Sequence, residues 1–270
     1  MAISLELIKA LREKSGAGMS DCKNALDEAA GDMDKAIDIL RKKGIAKAAK
    51  RNDRETGEGL IKIAINEENN EGYIFEINAE TDFVVRSEQF QQFANDLNVV
   101  VVAGRPEHLE AFLNLQMNDG ISVREALERL SSIVGEKLEI KRYAMITSGG
   151  TVAAYSHAGE QIGSLVAIDL PMQSELAKEI AMQVAASNPK YISSDEIEPA
   201  ELAREKDIYL EQLRKEGKPE EMLEKIVGGK LNKFFEDICL LNQEFIKDDT
   251  KKVSDLLKGA KIEQFVRYAL

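Results

Sequence analysis

Gly135-Glu-Lys-Leu-Glu-Ile-Lys-Arg-Tyr-Ala144 returns, one residue longer, as Gly259-Ala-Lys-Ile-Glu-Gln-Phe-Val-Arg-Tyr-Ala269 at the end of a 270-residue chain. Both stretches carry Gly, Lys, an aliphatic residue, Glu and then Arg-Tyr-Ala, and their glycines stand 124 positions apart. Upstream a second echo holds at a constant shift of 91. Gly59-Leu-Ile-Lys-Ile-Ala-Ile65 answers Gly150-Thr-Val-Ala-Ala-Tyr-Ser156, and Gly72-Tyr-Ile-Phe-Glu-Ile answers Gly163-Ser-Leu-Val-Ala-Ile. Two copies of one unit share a fold and need not share a task, so function is sought where they disagree.

Working outward, 59–65 and 73–79 alternate like half-buried strands around the polar turn Asn66-Glu-Glu-Asn-Asn70. Ser87 then reads as an N-cap, with Phe90, Phe93, Ala94 and Leu97 on one face of a helix ending at Gly104. A helix near 122–134 leads to the closing strand 138–146. The second copy repeats the plan with strands at 150–156 and 163–169, a helix from Ser174, a late helix near 250–258 and the strand 262–269. Each copy is expected to be an α+β unit, a small antiparallel sheet covered by helices.

The second copy is interrupted at 187–228. Pro199 opens a helix through Arg214, Gly217-Lys-Pro219 turns, and another helix starts at Glu220. This helical hairpin is rich in charge and sparse in apolar residues, so it is expected to form no core of its own and to project or pack on a partner. At the other end, 1–44 reads as three short helices. Leu5, Ile8 and Leu11 mark the first, ended by Gly16-Ala-Gly18, and Ala25, Leu26 and Ala29 mark the second. Asp32 caps the third, with Met33, Ala36, Ile37 and Leu40 inward and Gly44 as its stop. Seven basic residues follow from Arg41 to Arg54 with only Asp53 opposing, either a solvated tether or a partner-contacting patch. The divisions are therefore 1–54, a three-helix domain with a basic linker; 55–146, the first core subdomain; 147–186 with 229–270, the second; and 187–228, the arm.

Composition narrows the function classes. Hydrophobic residues at 44% and charged residues at 31% describe an ordinary globular protein. A net charge of −12 argues against nucleic acid as a direct partner, since phosphate binding needs a positive surface. Cys22 and Cys239 offer neither a disulfide framework nor metal spacing, which favours a reducing, cytoplasmic setting. Glu6, Lys9, Arg12 and Glu13 interrupt the first apolar stretch, so no signal peptide is expected, and no run is long enough to cross a membrane.

The search for chemistry comes up empty. His108 and His157 are the only histidines, poor raw material for a histidine metal site or a triad. No phosphate-loop or dinucleotide fingerprint occurs, and Gly228-Gly-Lys230 reads as a joint between helical segments. No buried carboxylate pair is evident, so no catalytic residue, metal or cofactor is expected. What stands out is Thr81, Asp82, Phe83 and Val84, in the connection between the second strand and Ser87. The second copy has Pro171-Met172-Gln173 there, without the acid–aromatic pair. Either Phe83 and Val84 tuck under the helix as core, or the connection presents an Asp–Phe wedge.

At these residues the chain resembles the elongation factor Ts family, the bacterial and organellar nucleotide-exchange factors of elongation factor Tu. Leu11-Arg-Glu-Lys-Ser-Gly-Ala-Gly-Met19, Asp21-Cys-Lys and Ala25-Leu26 are similar to that family's opening signature, extended by Gly31-Asp32, Ala36-Ile37 and Leu40-Arg-Lys-Lys-Gly44. Glu80-Thr-Asp-Phe-Val84 resembles its second signature; Glu216-Gly-Lys-Pro219, Lys233-Phe-Phe235 and the stretch from Leu240 to Gln243 resemble a third. The resemblance spans essentially the whole chain. It implies a ubiquitin-associated-like three-helix domain, two related subdomains and a helical-hairpin arm.

It also implies an activity without bond chemistry, in which binding to the GTPase loosens its hold on Mg²⁺ and phosphate. Thr81, Asp82, Phe83 and Val84 would then help dislodge Mg²⁺, with Phe83 wedged between helices of elongation factor Tu and Asp82 near the metal shell. His157 matches a partner-contacting position, and Arg12, Gly18 and Met19 fall in the GTPase-docking face. The chain ends at Leu270, where some members continue into a further helix, so that contact is expected to be absent. A homodimer or a 2:2 complex through the arm is one expectation. The alternative from another class is a non-catalytic scaffold, using the N-terminal module and the arm to bind other proteins.

Overall fold

Alternation along the strands decides how the two halves meet. The computed structural model describes residues 3–49, 51 and 53–270. Its first antiparallel sheet is β1 (Glu58–Ile65), β2 (Glu71–Ala79) and β3 (Leu138–Thr147), in that spatial order. Its second begins with β4 (Thr151–Ser156) and β5 (Ile162–Ile168). A small hairpin of β6 (Glu244–Phe245) and β7 (Asp248–Lys252) precedes β8 (Ile262–Ala269), which completes the order β4-β5-β8. Tyr73, Phe75, Ile77 and Ala79 of β2 face a helix-covered core. Ile74 turns the other way and meets Ile61, Ile146, Val152, Leu165 and Ala167 between the two sheets. The half-buried strand expected at 73–79 is thus buried on both faces, because the second sheet covers the side that would otherwise be wet.

Helices close the outer faces, as an α+β fold requires. The N-terminal bundle is α1 (Leu5–Ser15), α2 (Met19–Glu28) and α3 (Met33–Ala49), packed around Leu11, Cys22, Ala25, Leu26 and Ala36. Next come α4 (Asp82–Val85), α5 (Glu88–Gly104), α6 (Leu109–Leu113) and α7 (Val123–Val134) over the first sheet. The second sheet is covered by α8 (Ser174–Ser187), and the arm is α9 (Pro199–Lys215) with α10 (Glu220–Ile238). The short α11 (Val253–Leu256) leads into β8.

The duplication is real at the level of backbone, and it corrects the echo that revealed it. β3 and β8 each have a bulge against the central strand, between Glu76 and Ile77 in one copy and between Ala167 and Ile168 in the other, again a shift of 91. The strand register, however, sets Tyr143 opposite Phe75 and Phe265 opposite Val166, so Tyr143 corresponds to Phe265 rather than to Tyr268. The two Arg-Tyr-Ala motifs are three residues out of step. Because side chains alternate with period two, an odd offset sends them to opposite faces. Tyr143 packs on Phe112 beneath the helices, with ring centroids 5.3 Å apart, and donates to the Pro106 carbonyl at 2.6 Å. Tyr268 lies between the sheets, under the Arg142 guanidinium at 4.1 Å. Arg142 donates to the buried Glu76 and to the Ala269 carbonyl, tying the sheets together, whereas Arg267 donates to Ala185 of α8.

The repeated glycines have a common cause in close approach. A Cβ on Gly59 would stand 2.5 Å from the Ile77 carbonyl oxygen, and one on Gly150 would stand 2.2 Å from that of Ile168, the corresponding residue. Gly72 lies against Val152 and Leu165 of the second sheet, and Gly163 lies against Ile61 and Ile63 of the first. Each copy thus presents its glycine to the other, which lets the sheets stack.

Five local expectations change. Leu5 is exposed, and the inward face of α1 is carried by the buried Ile8 and Leu11 with the half-buried Leu7 beside them. Gly44 does not stop α3, which runs on to Ala49; a Cβ there would meet Ser132 Oγ at 2.7 Å, so the glycine serves contact with α7. The late helix at 250–258 shrinks to α11, because 248–252 pairs with 244–245 and Asp248 turns its carboxylate onto Thr250 and Lys251. Gly228 and Gly229 are no joint: α10 passes through them on its solvent face, at about 1 kcal/mol each relative to alanine. The arm does build a small core, with Leu213, Leu223 and Val227 buried among Tyr209, Leu210, Ile226 and Leu231.

Candidate functional site

Where β2 ends, two helix caps follow within seven residues, and their spacing makes the connection a turn of helix rather than the loop expected there. Thr81, in extended conformation, accepts from the Val84 N–H through Oγ1 at 3.4 Å and opens α4. Ser87 accepts from the Phe90 N–H at 3.3 Å and opens α5, while its own hydroxyl donates back to the Val84 carbonyl at 2.7 Å. A four-residue helix distributes its side chains around the compass. Val85 points into the core, and Val84 packs half-buried against the first-sheet cluster. Phe83 faces outward at 82% exposure. Asp82 is partly exposed, paired with Arg86 at 3.1 Å. The two readings of the pair therefore divide: Val84 tucks under as core, and Phe83 is presented.

A helix this short does not hold itself, so the base matters. The Glu136 carboxylate accepts from the Thr81 N–H at 3.0 Å and from the Thr81 hydroxyl at 2.7 Å. Next to it the Glu80 carboxylate accepts from the Lys137 N–H at 2.6 Å and from Arg54 at 3.1 and 3.2 Å. Burial works against the Glu80 charge, but the Lys137 N–H and the Arg54 guanidinium outweigh it and hold the carboxyl below its ordinary value. Sequence reasoning did not single out Arg54, Glu80 and Glu136 as site residues.

His157 sits exposed in the β4–β5 turn, with its Nδ1 3.1 Å from the Tyr155 hydroxyl and its N–H on the Ile162 carbonyl. The same turn is fastened to the first sheet. The Glu160 carbonyl accepts from the Ile61 N–H at 2.6 Å, and its carboxylate meets the buried Lys62 ammonium at 2.8 Å. The His157 turn is thus held to β1, whereas the 81–84 turn is held to the approach to β3 and to Arg54. Arg12, Gly18 and Met19 form a separate surface on the bundle. Arg12 and Gly18 are exposed, while Met19 is half-buried against the bundle core. Gly18 borders a cleft between the bundle and α7, with Asp21, Leu40 and Ile133.

Four residues of the basic stretch from Arg41 to Arg54 are tied to the fold. Arg41 pairs with Glu125 at 2.5 Å, Lys43 with Glu28 at 2.5 Å, Arg51 donates to the Ser131 carbonyl at 3.0 Å, and Arg54 holds Glu80. Lys50 and the Lys47 side chain lie outside the described residues.

Remaining candidates for chemistry have structural duties. His108 caps α6 by accepting from the Ala111 N–H. Cys239 is buried, and that burial, with the Glu196 carboxylate nearby, pushes its thiol up to about 11, away from thiolate reactivity. Among the described residues no group of His, Cys, Asp or Glu could hold a metal ion, and no helix is long and apolar enough to cross a membrane.

A family model described as elongation factor TS matches residues 80–270. The match begins at Glu80, takes in the 81–84 turn, His157 and the arm, and leaves Arg12, Gly18 and Met19 outside. With most of its length covered, the chain belongs to the elongation factor Ts family, translation factors that serve elongation factor Tu in nucleotide exchange.

Proposed function

We propose that this protein speeds GDP release from elongation factor Tu by seating Phe83 between helices of the GTPase, with Thr81, Asp82 and Val84 disturbing the nearby Mg²⁺ and phosphate site so that GTP can reload. The observation that carries this reading is an aromatic ring 82% exposed on a capped turn whose base is hydrogen-bonded on two sides. An unpaired ring in water gains about 1.5–3 kcal/mol on burial, so it favours a partner with an apolar slot. The exposed Asp82–Arg86 pair is worth less than about 1 kcal/mol, which leaves Asp82 ready to exchange Arg86 for another cation.

The magnitudes ask for more than one contact. GTPases hold nucleotide through backbone N–H groups, a lysine and Mg²⁺-bridged phosphates. Accelerating release by about 10³–10⁵-fold requires roughly 4–7 kcal/mol, so Phe83 supplies one or two of those powers of ten. His157 on its anchored turn, and Arg12, Gly18 and Met19 on the bundle, are the further partner contacts in this reading. Linkage is reciprocal: bound nucleotide weakens the factor by the factor by which the protein weakens nucleotide.

No bond chemistry is assigned to the chain in this reading. A self-associating arm, giving a homodimer or a 2:2 complex, is supported by the exposed Ile208 and Met222 on α9 and α10, and a mass measurement with and without elongation factor Tu tests it. The exchange reading is tested by preloading elongation factor Tu with fluorescent GDP and adding the protein at micromolar concentration. Release at the spontaneous rate sinks it.

A further inference from the structure

The residues between the N-terminal bundle and β1 do more than connect. Arg54 reaches Glu80 with one guanidinium nitrogen 3.1 and 3.2 Å from its two carboxylate oxygens. The Lys137 ammonium donates to the Arg54 carbonyl at 3.0 Å and lies 3.3 Å from Glu139. Thr56, itself buried, donates its hydroxyl to Glu139, and the buried Asn78 amide donates to the Thr56 carbonyl at 3.4 Å. Arg51 is fixed to the Ser131 carbonyl near the end of α7. This stretch therefore lies across the ends of β2 and β3, immediately beneath Thr81.

We propose that Arg51 and residues 53–56 act as a strap that holds the 81–84 turn in its presenting position, with Arg54 and Glu80 as positioning residues, and so couples the placement of the N-terminal bundle to Phe83. The proposal rests on the exchange reading for its consequence, though not for its geometry. A single turn of helix has too few internal hydrogen bonds to fix a side chain by itself. Here its first residue is set by Glu136 and its preceding residue by Arg54 and Lys137, all three outside the turn. The bundle reaches the same place by a second route. Gly44 and Arg41 of α3 pack on Ser132 and Glu125 of α7, and α7 runs directly into Glu136 and Lys137. A partner that pulls on the bundle therefore pulls on both supports of the turn. Loosening such a support displaces a group that must be placed to within a fraction of an ångström.

The test uses the full chain. Arg54→Ala and Glu80→Gln are expected to lower the maximal rate of fluorescent-GDP release from elongation factor Tu about 3- to 10-fold, with affinity for the GTPase changed less than about twofold. Arg54→Lys, which keeps the charge, should retain more of the rate than Arg54→Ala and guards against a simple folding defect. In a Phe83→Ala background the Arg54→Ala change should have less than about a twofold effect, because the group being positioned is gone. Equal slowing in both backgrounds would overturn the strap. Independently of any partner, amide hydrogen exchange in the free protein should quicken at Val85, Arg86 and Ser87, whose N–H groups close the turn, when Arg54 is replaced. Unchanged protection there also overturns it. If Phe83→Ala itself exchanges nucleotide at the wild-type rate, the wedge reading fails, and the strap is decided by hydrogen exchange alone.

Discussion

The ends of β2 and β5 are the same place in two copies of one fold, and they are built differently. After β2 the chain turns through Thr81 into a capped helical turn that presents Phe83, held from beneath by Glu136, Glu80, Lys137 and Arg54. After β5 it turns through Leu170, Pro171 and Met172, with Met172 95% exposed in left-handed backbone at φ 59. That second turn is fastened at its root, where Thr151 donates to the Leu170 carbonyl and accepts from the Gln173 N–H, and ahead of β8 Lys261 exchanges two hydrogen bonds with Asp169, its N–H donating to the carboxylate and its carbonyl accepting from the Asp169 N–H. Both copies put a large apolar side chain in water. Only one has a carboxylate from outside the turn, Glu136, accepting two hydrogen bonds from the turn's first residue, with Arg54 holding the residue before it. The difference teaches that exposure alone does not mark a site; exposure on a braced platform does.

Scaffold changes should break both copies alike. Gly59→Ala and Gly150→Ala each drive a methyl into a backbone carbonyl that cannot swing away, so each should cost about 2–3 kcal/mol of stability, read as a lower urea midpoint. Matching losses confirm that the copies share this corner, and a large loss at one position alone would break the equivalence. Glu136→Ala comes next. It leaves the Thr81 N–H and hydroxyl without their carboxylate, at about 1–2 kcal/mol.

A smaller effect distinguishes the two platforms by pH. Glu80 has its carboxyl held below the ordinary 4.5, so its contribution is complete above that value and is lost as the pH falls through the lowered one. Wild type should therefore lose its advantage over Glu80→Gln in melting temperature as the solution is acidified below about pH 4.5. A gap that stays constant down to pH 3 contradicts the assignment. The smallest effect is at His157: His157→Ala should slow nucleotide release less than Phe83→Ala, since the turn keeps its hold on β1 through Glu160.

Much of this was legible from residue order. The shift of 91 found both central strands because hydrophobic alternation survives duplication, and Ser87 marked a helix start because capping is a local matter. The Arg-Tyr-Ala echo misled in register, since a bulge and the two-residue period are properties of strand pairing that a single strand does not carry. Gly44 and the Gly228-Gly229 pair misled because glycine has several uses: one allows a neighbouring helix to approach, and the others sit on a wet face. Phe83 was singled out by subtracting one copy from the other. Its exposure could not be read that way, because it depends on Thr81 starting a helix one residue before it. Arg54 and Glu80 were hidden for a related reason: they are 26 residues apart in sequence and meet only once the strap crosses the sheet.

The most direct measurement compares the two presented side chains in one assay. Elongation factor Tu loaded with fluorescent GDP is mixed with wild type, Phe83→Ala or Met172→Ala, and the release rate is followed by stopped flow. The braced copy should matter and the unbraced one should not: Phe83→Ala slows release about 10- to 100-fold, and Met172→Ala stays within about twofold of wild type. Equal effects of the two, or wild-type release from Phe83→Ala, would contradict the account.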